Sequence, residues 1–173
     1  RDFDDAISLE RTQRGHWLLG VHIADVSHFV RPKTALDREA RARATSVYLP
    51  DRVVPMLPEL ISNGLASLQP HKVRFTKTAF VEFSPEGIPL DVRLCSSAIQ
   101  SRRRFTYEEV DEFLAEPDDW KQKLSHEVHD LLVRMRDLSR VLRARRCQRG
   151  ALELSLPEVK IDLDKHGSVT GAH

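Results

Sequence analysis

Residues 73–100, VRFTKTAFVEFSPEGIPLDVRLCSSAIQ, contain two extended runs joined by a turn bearing proline and glycine. In the first run Val73, Phe75, Ala79, Val81 and Phe83 are set against Arg74, Thr76, Lys77 and Glu82. A two-residue period of this kind marks a strand. Pro85, Glu86 and Gly87 form a tight turn, and residues 90–100 return as a second strand, so the stretch predicts an antiparallel hairpin.

Working outward, residues 6–10 alternate as a strand, and Arg14 and Gly15 mark a turn. Residues 17–26, WLLGVHIADV, are apolar enough for a strand buried on both faces. Thr34, with Asp37 three residues on, predicts a capped helix to about residue 45 whose face carries Arg38, Arg41 and Arg43. Residues 46–49 are extended and closed by Pro50, and residues 59–61 predict a short helix ahead of a turn at Asn63 and Gly64. Thr106 and Glu109 form a capping box for the next helix. A long helix over residues 124–148 sets Val128, Leu131, Leu132, Met135, Leu138, Val141 and Leu142 on one face. Its arginine-rich last turns suit the negative end of the helix dipole, and Gly150 ends it. Residues 152–156 read as a strand, and residues 159–163 with a turn at 165–167 open a final hairpin. The predicted class is α+β, a mixed and largely antiparallel sheet flanked by helices.

The chain of 173 residues fits one domain over 1–173, or a large piece of one. Its 40% hydrophobic and 31% charged residues place it among globular chains. No apolar run approaches the roughly 20 residues that span a bilayer, so no membrane partner is expected. Cys95 and Cys147 lack metal-ligand spacing and read as reduced thiols of a cytoplasmic protein. The net charge of +1 hides segregated acid and base. The first residue is not methionine, and both ends read as cut, so the domain is expected to be truncated and to expose a sheet edge or apolar face.

Three aspartates, Asp2, Asp4 and Asp5, crowd the opening RDFDDAIS. Carboxylates this close repel unless water or a cation lies among them. Hard oxygen donors of this kind suit Mg²⁺ or Mn²⁺; the bland alternative is a solvated acidic terminus. Alternation along an extended segment puts Asp2 and Asp4 on one face and Asp5 on the other, so either the segment is a loop or the three do not all ligate one metal directly; a two-metal arrangement, or one with direct and indirect ligands, fits better than a single cage. Tyr48 and Tyr107 stand near basic residues, Tyr107 just after Arg102, Arg103 and Arg104. Exposed aromatics with nearby arginine hold single strands by base stacking; the alternative is an amphipathic residue at the edge of the core. His16, His22, His28, His71, His126 and His129 are scattered and read as structural. His22 and Asp25 are close in sequence but no nucleophilic serine stands out. Neither glycine-rich phosphate motif is present.

RDFDDAIS, then GVHIADVSHFV, TSVYLPDRVVPMLPELISNGLASLQP, SSAIQSRRRFTYEEV and RGALEL together resemble the catalytic (RNB) domain of the RNase II / RNase R family, nearest the RNase R branch. The resemblance runs from end to end and is most specific over residues 48–68. It implies a processive, Mg²⁺-dependent 3′→5′ exoribonuclease that hydrolyses single-stranded RNA from its 3′ end to nucleoside 5′-monophosphates. It further implies Asp5 as a metal ligand, Asp4 as the critical catalytic carboxylate and Asp2 as a supporting one. Tyr48 falls where the family stacks bases near the RNA 3′ end, and Tyr107 where it has a tyrosine near the cleaved nucleotide. The family is mostly monomeric. Its first aspartate lies upstream of Arg1, and an arginine and an acidic residue of its site lie downstream of His173, so the chain alone is expected to be weak or inactive. Ala66 stands where the family often has cysteine. Two other readings remain: a non-catalytic RNA-binding module with a vestigial acidic site, and an α+β interaction domain with no nucleic-acid role.

Overall fold

The computed structural model describes residues 3–152, 154, 159 and 161–172. The hairpin of residues 73–100 is its backbone: β5 (Val73–Phe83) pairs antiparallel with β6 (Pro89–Gln100), from Val73 opposite Gln100 to Phe83 opposite Pro89. Ser84 closes the turn between them. Its N–H donates to the Ile88 carbonyl (2.8 Å), and its Oγ accepts from the N–H groups of Glu86 and Ile88. Gly87 has φ +78°, and a Cβ there would lie 2.9 Å from Val141 Cγ1. The turn therefore needs glycine for its handedness and for its close approach to a helix.

β1 (Asp5–Arg11) and β2 (Trp17–Ala24) complete a four-stranded antiparallel sheet of order β1-β2-β5-β6. Register sorts its faces. Leu9, Leu19, Trp17 and Phe83 share one face, onto which α3 (His126–Gln148) packs Leu131, Met135, Leu138 and Leu142. Further along this face Ile7, Ile23 and Leu94 are exposed, so β2 is not buried on both faces as its apolar run predicts. Burial of a strand needs a covering layer, and among the described residues α3 reaches only one half of this face. The opposite face is polar: Ser8, His22, Thr76, Thr78 and Ser97 form one hydrogen-bonded chain. On that side Arg74 donates to the carbonyls of Ser67 (2.9 Å) and Gly64 (3.2 Å), holding the 64–68 segment against the sheet.

α1 (Ala35–Arg43) is capped by Thr34, whose Oγ1 accepts from the Asp37 N–H. The return bond is displaced by one residue, because the Asp37 carboxylate accepts from the Lys33 N–H instead. The extended residues 46–49 become β3 (Val47–Tyr48), and its partner β4 (Val53–Val54) has no counterpart in the sequence reading. Asn63 and Gly64 do not form the predicted turn; they lie inside a π-helical stretch, Leu60–Leu65. Side chains distant in sequence hold it there: Gln69 Nε2 donates to the Asn63 carbonyl and Arg74 to that of Gly64.

α2 (Tyr107–Ala115) and a 3-10 turn, Pro117–Trp120, carry a second small core. Phe113, Trp120 and Leu124 are its buried residues, with Phe105, Val128, Leu132 and Val133 packed against them. α3 begins two residues later than predicted because Ser125 caps it, accepting from the Val128 N–H, while Leu124 N–H bonds back to Trp120. Gly150 follows its end with φ +87°. Leu152 and Leu154 lie outside any strand, and residues 153, 155 and 156 of the predicted strand fall outside the described residues. β7 (Ile161–Leu163) and β8 (Val169–Ala172) form the final hairpin. The α+β, largely antiparallel class holds.

The Thr106 capping box is complete: Thr106 Oγ1 accepts from the Glu109 N–H (3.2 Å), and Glu109 Oε2 from the Thr106 N–H (2.8 Å). Thr106→Ala is expected to cost about 1 kcal/mol in urea unfolding, and Thr106→Ser to retain most of it. Equal losses from both variants would refute the cap as the cause.

Candidate active site

Asp2 lies outside the described residues. The backbone around the other two aspartates is held from both sides. Phe3 N–H donates to Ser67 Oγ (3.2 Å), the Phe3 carbonyl accepts from the Leu68 N–H (2.9 Å), and the Asp4 carbonyl accepts from the Ala24 N–H (2.8 Å). Asp5 then opens β1 opposite Ile23. The stretch is thus a sheet-edge backbone clamped between β2 and the 67–68 segment, and its alternation turns Asp4 and Asp5 to opposite faces. Both are exposed, and among the described residues neither carboxylate has a hydrogen bond or ion pair.

Two unneutralised carboxylates on a fixed backbone match a hard divalent cation in donor chemistry. They fall short of it in number, since no group of three or more His, Cys, Asp or Glu residues among the described ones is disposed to hold a metal. The third donor in sequence is Asp2.

Beside them lies a pair that the sequence reading missed. Asp25, just beyond β2, is buried; its carboxylate accepts from Ser27 Oγ and pairs with Lys77 Nζ at 3.1 Å. The Ser27 hydroxyl, then Lys77 and the His28 N–H, hold its carboxyl below the usual carboxylate range against the opposing effect of burial. Lys77 Nζ also donates to Ser96 Oγ (2.8 Å). In register, Asp5, Ile23 and Lys77 form one cross-strand row, which puts a lysine on the face of Asp5 about 10 Å away, two strand spacings. The signal in the sequence is Lys77 itself, whose position falls on the strand face that otherwise carries Val73, Phe75, Ala79, Val81 and Phe83.

His22 does not meet Asp25. Its Nε2 hydrogen-bonds Ser8 Oγ (2.9 Å) and its Nδ1 Thr78 Oγ1 (2.9 Å) on the polar face of the sheet. Burial lowers its pKa. The unfolded chain therefore takes up a proton, from about pH 6.5 downward, that the folded protein refuses. Stability is expected to be fully present above that pH and to fall as pH drops, by at most about 1.4 kcal/mol per pH unit from this group. Urea unfolding of His22→Gln between pH 7.5 and 5 is expected to lose this slope; an unchanged slope would assign the pH dependence to other groups.

Tyr48 lies in β3 and Tyr107 at the first residue of α2, exposed by 76% and 89%. Among the described residues neither side chain makes a hydrogen bond or ring contact, so both rings are open to solvent. The arginine run divides. Arg103 is engaged by Glu109 (3.6 Å), the Lys123 carbonyl and the Phe105 ring. Arg104 lies 4.4 Å from the centroid of Phe3 and so borders the aspartates. The structure thus gathers Asp4, Asp5, Phe3 and Arg104 directly, and leaves the tyrosines on separate elements.

An RNB-domain family model matches residues 1–173. Ribonuclease R of Thermotoga maritima is 45% identical over 170 residues, covering 98% of this chain and 24% of that protein. Ribonuclease R of Chlamydia muridarum is 44% identical over 164 residues, covering 95% of this chain and 23% of that protein. The chain thus spans about a quarter of the length of these curated relatives. The structure of Mycoplasma genitalium RNase R in complex with ribose methylated single-stranded RNA superposes with a TM-score of 0.90 at 34% identity, covering 99% of this chain and 26% of that one. With the clamped aspartates, the four-stranded sheet and the exposed tyrosines all carried on a chain matched from end to end, this protein belongs to the RNB-domain family.

Proposed function

We propose that the protein is a Mg²⁺-dependent 3′→5′ exoribonuclease that hydrolyses single-stranded RNA to nucleoside 5′-monophosphates, acting as a cytoplasmic monomer. The observation that carries this reading is that Asp4 and Asp5 are exposed and without a side-chain partner among the described residues, on a backbone held from both sides, in a chain of the RNB-domain family. Asp5 would hold the ion, Asp4 would be the carboxylate on which the chemistry depends, and Asp2 would support them. Bound Mg²⁺ would lower the pKa of a water and offset charge on the leaving 3′ oxygen. The chain itself does the positioning. The bonds at Phe3 and Ala24 fix the backbone that carries the carboxylates before substrate arrives, so less reorganisation is left for the transition state. Tyr48 and Tyr107 stack on bases near the 3′ end, at about 1–3 kcal/mol per base.

A non-catalytic RNA-binding module with a vestigial acidic site is the second reading, supported by the exposed rings of Tyr48 and Tyr107, which could hold RNA without any chemistry. Incubating the full-length protein with 5′-labelled oligo(A) separates the two. A ladder shortening from the 3′ end, nucleoside 5′-monophosphates by chromatography, arrest by EDTA and recovery with Mg²⁺ are expected. Binding without cleavage supports the second reading, and cleavage that resists EDTA overturns the metal assignment.

A further inference from the structure

Arg74 stands on the polar face of β5, in line with Thr76 and Thr78, yet among the described residues its guanidinium meets no carboxylate. Its partners are backbone carbonyls. Nε donates to that of Ser67 (2.9 Å), and the terminal nitrogens donate to those of Gly64 (3.2 Å) and Val73 (3.1 Å). Bonds from a charged donor are stronger than neutral ones, and the planar fork fixes direction as well as distance. The 64–68 segment is thus tied to the sheet at both Gly64 and Ser67. Ala66, Ser67 and Leu68 are buried there, although they belong to no helix or strand.

The same segment carries the acidic edge. β1 begins at Asp5, so Phe3 lies outside the strand ladder and its backbone groups need other partners. Both come from this segment: Ser67 Oγ accepts from the Phe3 N–H (3.2 Å), and the Phe3 carbonyl accepts from the Leu68 N–H (2.9 Å). Ser67 therefore joins two ties, its carbonyl held by Arg74 and its hydroxyl holding Phe3. Asp4 and Asp5 follow Phe3 directly in the chain.

A purely structural role for Arg74 would be to cap the π-helical stretch. With Gln69 it takes the carbonyls of Gly64 and Asn63, near the end of that stretch, where carbonyls lack helical partners. Capping does not explain the Nε bond to Ser67. That residue lies beyond the stretch, and its carbonyl already accepts from the Gln69 N–H (2.8 Å). We infer that Arg74 and Ser67 are positioning residues for the catalytic aspartates: Arg74 sets Ser67, and Ser67 sets the backbone at Phe3 from which Asp4 and Asp5 project. This role rests on the proposed exoribonuclease reading and extends it to two residues outside the acidic edge.

The test compares full-length wild type with Ser67→Ala, Arg74→Met, Arg74→Lys, the double variant Ser67→Ala/Arg74→Met, and Thr34→Ala. Turnover of oligo(A), its affinity by fluorescence anisotropy, Mn²⁺ binding by electron paramagnetic resonance and the thermal midpoint are measured for each. Ser67→Ala removes one hydroxyl and is expected to lower kcat about tenfold or more, since a misplacement of 1 Å costs about a hundredfold. Its Mn²⁺ dissociation constant should rise about tenfold, the usual loss when support of a metal ligand is removed. RNA affinity should stay within about twofold, the mark of a change felt in the chemical step. Arg74→Met should do the same, and Arg74→Lys, which keeps one donor, should recover part of the loss. Because both residues act through one tie, the double variant should fall little below the worse single one, whereas independent effects would multiply. Thr34→Ala, which removes the cap of α1, should lower the midpoint and leave kcat and Mn²⁺ affinity unchanged. Wild-type kcat and Mn²⁺ affinity in Ser67→Ala, or multiplying losses in the double variant, would overturn the positioning role and leave the proposed function standing. Absence of both turnover and Mn²⁺ binding in wild type would overturn the proposed function and this role with it.

Discussion

Asp4→Asn in the full-length protein is expected to reduce turnover of oligo(A) by about a hundredfold or more while RNA affinity stays within about twofold. The substitution keeps the shape of the side chain and removes its charge. The Asp4 carbonyl bond to Ala24 is a backbone interaction, so the clamp on the segment survives the change. What disappears is a carboxylate with no protein partner among the described residues, whose charge is therefore available to a cation and to the transition state. Stabilisation by a bound metal is of the order of several kcal/mol, and each 1.4 kcal/mol is tenfold in rate, which gives the expected size. A fall in turnover at unchanged affinity is the mark of an interaction made in the transition state. Unchanged turnover would remove Asp4 from the chemistry. Weakened binding with normal turnover at saturation would make it a substrate-binding group.

Phe113→Ala is expected to destabilise the protein by about 3–5 kcal/mol, the usual range for emptying a buried phenylalanine site. Phe113 is fully buried and sits edge-on to Trp120 (centroids 6.4 Å apart) and to His129 (5.3 Å). It is the centre of the small core that joins α2, the 3-10 turn and the first half of α3. A loss of that size corresponds to a thermal midpoint lower by roughly 6–20 °C for a chain of this length. The same core holds Phe105 and the start of α2, which carries Tyr107. The variant should therefore bind RNA more weakly even below its melting temperature. A midpoint within about 2 °C of wild type, well under that range, would show that α2 is held by something other than this core.

The reach of the sequence differed from element to element for identifiable reasons. The β5–β6 hairpin was legible because its period and its turn residues are local properties of adjacent side chains. The Thr106 box was legible for the same cause, since cap and partner lie three residues apart. Thr34 and Asp37 show the limit of such reading, because Lys33 competes for the carboxylate. Asn63 and Gly64 show a failure: two side chains from residues 69 and 74 override the turn propensity by taking their carbonyls. β4 was missed because two valines carry no periodicity by themselves and become a strand only when β3 pairs with them.

The site divides along the same line. The three aspartates, their crowding and the two tyrosines near arginine are properties of residue order, and the sequence alone determined them, together with the family. Tertiary structure alone decided that Asp4 and Asp5 are fixed by bonds from Ala24, Ser67 and Leu68, and that Arg104 folds onto Phe3. It also decided that Asp25 is buried beside Lys77 and that His22 belongs to a polar chain across the sheet rather than to a catalytic pair. The physical reason is one of range. Charge repulsion and side-chain period act between neighbours in the chain and can be read from it, whereas strand register and burial depend on which distant segments meet.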